Sequence, residues 1–374
     1  MKKMMNKQYH SEGSYCNGGT SNDVKCVKCH GEAAFESNNT SYCEKCFLAM
    51  VKGKFRSSLS KRRIFRDKDS RKALVVLDGS RESAFLFRQI EDSVKQTNFK
   101  RLMIEPSFLL LLSSLDISEI RTIIKKLSVL QQALPCTYFV VHLAAIFGSL
   151  HISDNIGCIG IQHVSRLDTF LRSFRSTYLR EEMIRLLNQR LIREFSKCVG
   201  ISKVMVPSSG DDLARLAVSQ LCLGRGGAVS DMTDVVENIS QGITLIRPLR
   251  SVSSKEIATA LQLENVEHYV LLPIVPNATN TYYAYEARSK GSIQQSTSRF
   301  LNSLQEDGFK GTVPNILGAI SKIHIRNSGR FCSLCECYFC EEGALCYTCS
   351  NIMNELPFSI VDVFPLRLHF MPCD

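Results

Sequence analysis

Apolar and polar positions follow two different periods along this chain, and these predict strands and helices in alternation. Short apolar runs predict strands at residues 73–77, 102–104, 138–141, 203–206 and 243–246. Apolar positions with a helical period predict helices around 86–94 and at 117–133, 177–197, 211–223, 292–304 and 313–323. Asp211 or Asp212 is expected to cap the helix at 211. This alternation indicates an α/β fold with a parallel sheet covered by helices on both faces.

The apolar content and its distribution indicate a globular protein rather than a membrane protein. Of the 374 residues, 44% are hydrophobic, which suits two or three domains or one domain with appendages. No apolar run approaches the roughly 18 residues of a membrane-spanning helix, and residues 109–112 fit a core helix or strand. Residues 1–23 are polar and lack the apolar segment of a secretory signal. We therefore expect a cytoplasmic protein that does not associate with membranes.

The 16 cysteines are the most informative feature of the composition. In a reducing compartment they indicate metal or thiol chemistry rather than disulfides. Two CxxC pairs, Cys26 with Cys29 and Cys43 with Cys46, predict one tetrahedral zinc site, because each tight turn directs two sulfurs at one ion. The alternative is a set of unrelated buried thiols.

A second cysteine-rich module lies near the carboxyl end. Its outer CxxC pairs, Cys332 with Cys335 and Cys346 with Cys349, repeat the first pattern and predict a second zinc site. Cys337 and Cys340 form a third pair and would be spare or alternative ligands. A closed site of four sulfurs leaves no open position for catalysis, so both zinc ions are expected to be structural.

The turn after the first predicted α/β strand, residues 78–83 with the sequence DGSRES, opens a helix. A phosphate-binding loop would occupy this position, because helix amino-terminal amides hold anions. Asp78 and Glu82 oppose that use, since they place negative charge beside the anion. The residues favour a plain strand-to-helix turn or a phosphate loop that no longer binds phosphate.

A basic stretch precedes this strand, and the formal net charge of +10 fits a polyanionic partner such as RNA. Candidate phosphate contacts are Lys52, Lys54, Arg56, Lys61, Arg62, Arg63 and Arg66. Phe55 and Phe65 are candidates for stacking or packing. Arg225 is a further candidate, because Gly224 and Gly226 would allow a nucleotide to approach closely. The alternative for the stretch is a solvated helix face followed by a linker.

Several motifs occur in an order typical of one family. They are the CxxC pairs, the Lys-Phe-Arg segment at 54–56, the turn at 78–83, residues 212–218 leading to LGRG at 223–226, RPLR at 247–250 followed by Lys255 and Glu256, the helix at 291–300 and LCYTC at 345–349. Together they resemble the cytoplasmic tRNA 2-thiolation protein 2 family over residues 24–352. That family is the paralogous partner of the catalytic cytoplasmic tRNA 2-thiolation protein 1.

The resemblance implies an adenine-nucleotide alpha-hydrolase-like fold of the PP-loop type. In active members an SGGxDS loop binds the pyrophosphate of ATP while a tRNA uridine is adenylated. Here Gly79 and Ser83 match this loop and are the candidate cofactor contacts, whereas Asp78 and Glu82 depart from it. Active members also carry a central CxxC pair and a third cysteine, but no CxxC occurs centrally here and residues 274–285 contain no cysteine. Both losses imply a subunit without catalytic residues that does not use ATP.

The resemblance implies a role in 2-thiolation of the wobble uridine in the tRNAs for Lys, Glu and Gln. The chain would form a heterodimer with the catalytic paralogue, which receives sulfur from a thiocarboxylated ubiquitin-related modifier, so protein urmylation belongs to the same pathway. Two alternatives stay open: an independently active ATP-dependent tRNA sulfurtransferase, and a zinc-dependent protein-interaction adaptor.

The expected organisation follows from these assignments. It comprises a disordered tail at 1–23, an amino-terminal zinc module at 24–50, a basic linker or helix at 51–72, a degenerate PP-loop domain at 73–328, a carboxyl-terminal zinc module at 329–355 and a tail at 356–374.

Overall fold

The computed structural model describes residues 24–37, 39–65, 70–97, 102–148, 159–239, 242–272, 291–323, 330–339 and 342–356. The tail predicted at 1–23, all but the first residue of the tail at 356–374, and residues 274–285 lie outside this description. The chain divides into two units between Met50 and Val51.

The first unit contains a small hairpin and the first turns of a helix. Strands β1 (Phe35–Ser37) and β2 (Thr40–Tyr42) pair antiparallel, and helix α1 (Glu44–Lys61) begins two residues later. The rings of Phe35 and Phe47 lie 5.6 Å apart and form an apolar contact between hairpin and helix. Such a small core needs additional stabilisation, which a metal ion bound by the neighbouring cysteines would provide.

The second unit holds the remaining elements. Its strands are β3 (Lys72–Leu77), β4 (Glu105–Leu112), β5 (Thr137–His142), β6 (Lys203–Met205), β7 (Val236–Ile239), β8 (Ile243–Ile246), β9 (Arg330–Phe331) and β10 (Tyr338–Phe339). Its helices are α2 (Arg81–Lys95), α3 (Ile117–Ala133), α4 (Val164–Arg172), α5 (Thr177–Cys198), α6 (Gly210–Cys222), α7 (Val229–Thr233), α8 (Ser254–Leu263), α9 (Ile293–Glu306), α10 (Thr312–Ile320) and α11 (Tyr347–Glu355). No helix among the described residues is long and apolar enough to cross a membrane.

A six-stranded sheet forms the centre of this unit, in the order β5-β4-β3-β6-β8-β7. All neighbouring pairs are parallel except β7 with β8, so the predicted parallel sheet is confirmed with an additional antiparallel edge strand. Residues 73–77 of β3 are all at most 1% exposed, as expected for a central strand covered on both faces. Stacked rings of Phe108 and Tyr138, 4.9 Å apart, link β4 to β5.

The strand predicted at 102–104 is wrong. The amide of Ile104 bonds back to the carbonyl of Leu102, and Met103 is 47% exposed, so these residues turn outside the sheet. The second strand is β4, which starts at Glu105 and includes the apolar run at 109–112. That run pairs with β3 on one side and β5 on the other, which explains its uninterrupted apolar character.

Helix caps refine the predicted boundaries. Ser209, rather than Asp211 or Asp212, caps α6: its hydroxyl accepts the amide of Asp212, whose carboxylate accepts the amide of Ser209 in return. The same reciprocal arrangement of Ser253 and Glu256 begins α8, a helix that the apolar period did not predict. The sequence signal for α8 was the serine followed three residues later by glutamate.

Candidate metal centres and phosphate-loop turn

Four cysteines of the first unit form a compact cluster. Cys26 and Cys29 flank a tight turn, Cys43 precedes α1 and Cys46 lies in its first turn. Their Sγ atoms all lie within 4.8 Å of one another, and those of Cys29 and Cys43 are 3.5 Å apart. Sulfurs bound at 2.3 Å to one zinc ion would be separated by about 3.8 Å. The donor set and its spacing therefore fit a tetrahedral metal ion.

A second cluster joins the β9–β10 hairpin to helix α11. The Sγ atoms of Cys332, Cys335, Cys346 and Cys349 all lie within 4.8 Å of one another. The sulfurs of Cys335 and Cys346 are 3.8 Å apart, and the amide of Cys346 donates to the sulfur of Cys332. The thiol of Cys337 instead faces the carbonyl of Cys335, and Cys340 lies outside the described residues. The structure thus groups the two predicted outer pairs in a geometry that fits zinc.

Arg225 lies inside the protein, so the expectation that it contacts RNA is wrong. Its side chain is 2% exposed, and its guanidinium forms an ion pair with Glu182 and donates to Gln220 Oε1 at 2.7 Å. Its Nη2 lies 3.3 Å from the sulfur of Cys349. Gly224, which has a φ of 77°, permits the turn that brings this guanidinium inward, rather than the approach of a nucleotide.

The guanidinium of this buried arginine contacts a carboxylate and a cysteine sulfur. Burial alone would raise the pKa of Glu182, but Arg185 and Arg225 lower it to about 2, so Glu182 is ionised. Arg225 also donates to the sulfur of Cys349, which would be a thiolate when it binds a metal ion. Arg225 is therefore an outer partner of the carboxyl-terminal cluster, a role that no sequence signal near Gly224 and Gly226 indicated.

Further contacts attach the carboxyl-terminal module to helix α5. The carboxylate of Glu355 accepts the amides of Arg175 and Ser176 at 3.1 and 3.0 Å, at the start of α5. Arg193, on the same helix, forms an ion pair with Glu336. The hydroxyl of Thr348 donates to the carbonyl of Leu223. Contacts on both sides of the cysteine cluster thus hold it against the α/β unit.

The turn at 78–83 follows β3 and opens α2, as predicted, but its own side chains occupy its anion-binding groups. Asp78 Oδ1 accepts the amide of Ser80 at 3.0 Å and the hydroxyl of Ser80 at 2.6 Å. The hydroxyl of Ser80 in turn accepts the amide of Ser83 at 3.1 Å. The amides of Ser80 and Ser83 are thus bonded within the turn rather than open to a ligand.

A neighbouring segment covers the glycine of this turn. The carbonyl of Gly79, which has a φ of 83°, accepts the amides of Leu271 and Leu272 at 3.1 and 3.0 Å. A Cβ atom at Gly79 would lie only 2.8 Å from the Leu272 side chain. Glycine is therefore required here by the close packing of the protein on itself. Ser83 is 2% exposed, and its hydroxyl donates to the carbonyl of Ser80.

Two buried carboxyls near this turn offer no positive charge to an anionic ligand. Burial raises the pKa of Asp78 above its usual value, and burial together with the charge of Asp212 raises that of Glu82 to about 8. Glu82 Oε1 accepts the hydroxyl of Ser254 at 2.9 Å, while Oε2 has no hydrogen-bond partner among the described residues. Phosphates brought into this region would add negative charge to groups that already resist ionisation.

A cleft of about 820 Å³ opens beside Asp78 at the carboxyl ends of β3 and β4. Its lining includes the acidic residues Asp78, Asp116, Glu119 and Asp168 and the basic residues Arg172 and Arg180. Arg172 is already paired with Asp168 at 2.9 Å. The cleft has the size of a nucleotide site but not the positive charge that a triphosphate requires.

The predicted RNA contacts on α1 divide into two sets. Lys52 pairs with Glu264, Lys54 with Glu256 and Arg62 with Asp234, at 2.6, 2.6 and 2.7 Å. Arg56 lies 3.8 Å from Asp92, whereas Lys61 and Arg63 are exposed. Arg66 lies outside the described residues. Phe55 is buried in the core, and Phe65 lies under the ammonium of Lys203 at 4.8 Å, so both aromatic residues serve packing.

Comparison with solved structures identifies the fold class of this protein. No family model matches the chain. Among solved structures, the U34-tRNA thiolase NcsA from Methanococcus maripaludis, with its 4Fe-4S cluster, superposes with a TM-score of 0.55. The match covers 90% of this chain and 97% of that one at 15% sequence identity. The shared fold and the turn after β3 define an α/β protein of the PP-loop class.

Sequence relatives then give the family. A Caenorhabditis elegans protein is 34% identical over 341 residues, covering 88% of this chain and 94% of the relative. A Caenorhabditis briggsae protein is 32% identical over 352 residues, covering 92% and 97%. Both are named cytoplasmic tRNA 2-thiolation protein 2, as is a Drosophila melanogaster protein at 26% identity. The chain belongs to the cytoplasmic tRNA 2-thiolation protein 2 family, as its motifs indicated.

Proposed function

We propose that this chain is a non-catalytic subunit of a cytoplasmic complex that 2-thiolates the wobble uridine of tRNA Lys, Glu and Gln. It acts as a heterodimer with the catalytic paralogue, which receives sulfur from a thiocarboxylated ubiquitin-related modifier. Family membership supports the pathway. The bond from the Ser80 amide to the Asp78 carboxylate supports the non-catalytic role, because it engages an amide that a phosphate loop would offer to its ligand.

Two zinc ions complete the subunit in this proposal. The modules at 24–50 and 329–355 each supply four cysteines whose spacing fits one ion. Zinc would neutralise clustered thiolates and hold each small module together, and it would take no part in sulfur transfer because both sites are closed. Among the described residues these are the two groups suited to a metal, and both lie outside the central sheet.

The subunit would share the tRNA with its partner through helix α1. Lys52, Lys54, Arg56, Lys61, Arg62 and Arg63 lie on this helix or directly after it. Exposed cations contribute affinity through release of counterions from the RNA backbone, with little dependence on sequence. Specificity for particular tRNAs would then reside in the complete complex.

The test uses cells that lack this chain. Total RNA is separated on a gel containing immobilised mercury, which retards thiolated tRNA, and is probed for the tRNAs for Lys, Glu and Gln. We expect the retarded bands to disappear while a tRNA thiolated by another route is unchanged. Bands of full strength in cells without a redundant copy would refute the assignment.

Complementation separates a scaffold from a catalyst. Ser83→Ala should restore thiolation, because Ser83 bonds within its own helix turn and faces no ligand. Ser93→Ala is the matched control, since Ser93 is also 2% exposed on α2 and donates to a helix carbonyl. Loss of thiolation with Ser83→Ala alone, together with ATP binding by the wild-type chain, would instead establish an independent sulfurtransferase.

A further inference from the structure

A groove outside the central cleft lies between the second half of helix α1 and the turn after β8. It has a volume of about 500 Å³. The helix contributes Gly53, Lys54, Ser57, Ser58, Lys61 and Arg62, and the opposite wall contributes Asp234, Val235, Arg250 and Ser251. Four cations therefore face one groove that contains a single carboxylate.

The ion pairs of the groove leave positive charge uncompensated. Lys54 is paired with Glu256, and Arg62 with Asp234. Neither Lys61 nor Arg250 has a carboxylate within ion-pair distance in the described part of the chain. Burial lowers the pKa of Arg250, Asp234 raises it, and the neighbouring charges of Arg62 and Arg247 lower it.

The guanidinium of Arg250 is held in place before any ligand arrives. Its Nε donates to the carbonyl of Thr233 at 2.7 Å, and its Nη2 donates to the carbonyl of Leu317 at 3.1 Å. A half-buried guanidinium fixed by two backbone carbonyls loses little freedom on binding an anion. Lys61 on the facing helix is exposed and can adjust to the ligand.

Small residues keep the groove open and supply hydroxyls. Gly53 lies inside α1, where glycine costs roughly 1 kcal/mol relative to alanine, and a Cβ there would meet nothing within 4 Å. Ser57 and Ser251 place hydroxyl groups on the two walls. The lining contains no aromatic ring on which a base could stack.

From this arrangement we infer that the groove binds phosphate groups of an RNA backbone, clamped between Lys61 on α1 and Arg250 on the opposite wall. The inference rests on the proposed role in tRNA modification and adds Arg250, Ser57 and Ser251 to the contacts. Hydroxyls and cations without aromatic rings match the sugar–phosphate backbone, which fixes the position of an RNA rather than its sequence.

The experiment measures binding of a labelled tRNA transcript to the full chain over a series of salt concentrations. Lys61→Gln should weaken binding and reduce the slope of log affinity against log salt by about 0.9, corresponding to one duplex phosphate contact. Ser57→Asp should weaken binding further, because it places a carboxylate inside the groove. Lys125→Gln, which removes one exposed charge from α3, is the matched control and should leave the slope unchanged.

Arg250→Gln is a secondary variant, since its loss of two backbone contacts also reduces stability. Lys61→Gln and Ser57→Asp change side chains that make no such contacts. Their effect on tRNA binding can therefore be separated from an effect on stability. Unchanged affinity and slope in both, with unchanged melting temperature, would overturn the inference.

A second arm distinguishes free phosphate from RNA. If inorganic phosphate raises the melting temperature of the wild type but not of Ser57→Asp, while tRNA affinity is equal in the two, the groove holds a free anion and the RNA assignment is wrong. If cells lacking the chain lose thiolation and Ser57→Asp with normal tRNA affinity restores it, the groove assignment fails while the proposed function stands.

Discussion

At the scale of single residues, Glu82 links stability to pH. Its carboxyl keeps its proton in the folded chain up to about pH 8, whereas the unfolded carboxyl ionises near 4.5. Between these values the folded chain binds more protons than the unfolded chain. The free energy of unfolding therefore falls as pH rises, by at most about 1.4 kcal/mol per pH unit from this group.

Glu82→Gln removes this titration and retains an acceptor for the Ser254 hydroxyl. The free energy of unfolding of the variant minus that of the wild type should increase from pH 4.5 to pH 8. Urea unfolding at a series of pH values measures this difference, and Glu306→Gln corrects for the loss of one exposed carboxyl. A difference that stays constant would show that Glu82 titrates alike in both states.

Arg225 connects the carboxyl-terminal cysteine cluster to a buried carboxylate. Arg225→Gln leaves Glu182 with less compensating charge and removes the donor to Cys349. We expect a loss of about 3–5 kcal/mol in the free energy of unfolding and faster zinc release to a chromophoric chelator. Arg247→Gln is the control, because Arg247 is also buried and paired with an acid, Glu237, away from the cluster. Equal zinc release from the two variants would contradict the role of Arg225.

At the scale of elements, helix α11 and helix α5 should lose stability together. Cys349→Ser removes one metal ligand at the start of α11, whose last residue, Glu355, caps α5. Hydrogen exchange at the amides of Arg175 and Ser176 should accelerate by about fivefold or more, as expected for loss of a contact worth about 1 kcal/mol. Cys136→Ser, outside both clusters, should have no such effect. Unchanged exchange at these amides in Cys349→Ser would show that metal and helix are uncoupled.

Much of the element pattern could be predicted because apolar periodicity reports burial directly. Helix α3 has both predicted ends, and β8 matches its predicted run. The error at 102–104 arose because an apolar triplet looks alike in a turn and in a strand, and only pairing distinguishes them. The short edge strand β7 lacks a strong apolar run, and none of its four residues is fully buried.

Site residues were predictable where spacing alone determines the chemistry. The eight cysteines came together as predicted because a CxxC turn is a local structure. Arg225 was misassigned because its partners Glu182 and Cys349 are distant in sequence. The sequence did indicate that Asp78 opposes phosphate, but only the structure shows its carboxylate bonded to the Ser80 amide.

At the scale of the whole molecule, the two cysteine clusters predict the metal content. The purified chain should contain two zinc ions, measured by elemental analysis and by the mass difference between native and denatured protein. Cys29→Ser and Cys349→Ser should each remove one ion, and the double variant should remove both. Iron in place of zinc, or one ion per chain, would contradict the proposed structural role.

The carboxylate that Asp78 turns onto its own loop also limits how this lineage can evolve. A replacement of Asp78 by serine would leave Glu82 buried nearby and Leu272 packed over Gly79. Nucleotide binding at this turn would therefore require several coordinated replacements, and the single intermediates would bring no gain for selection to retain.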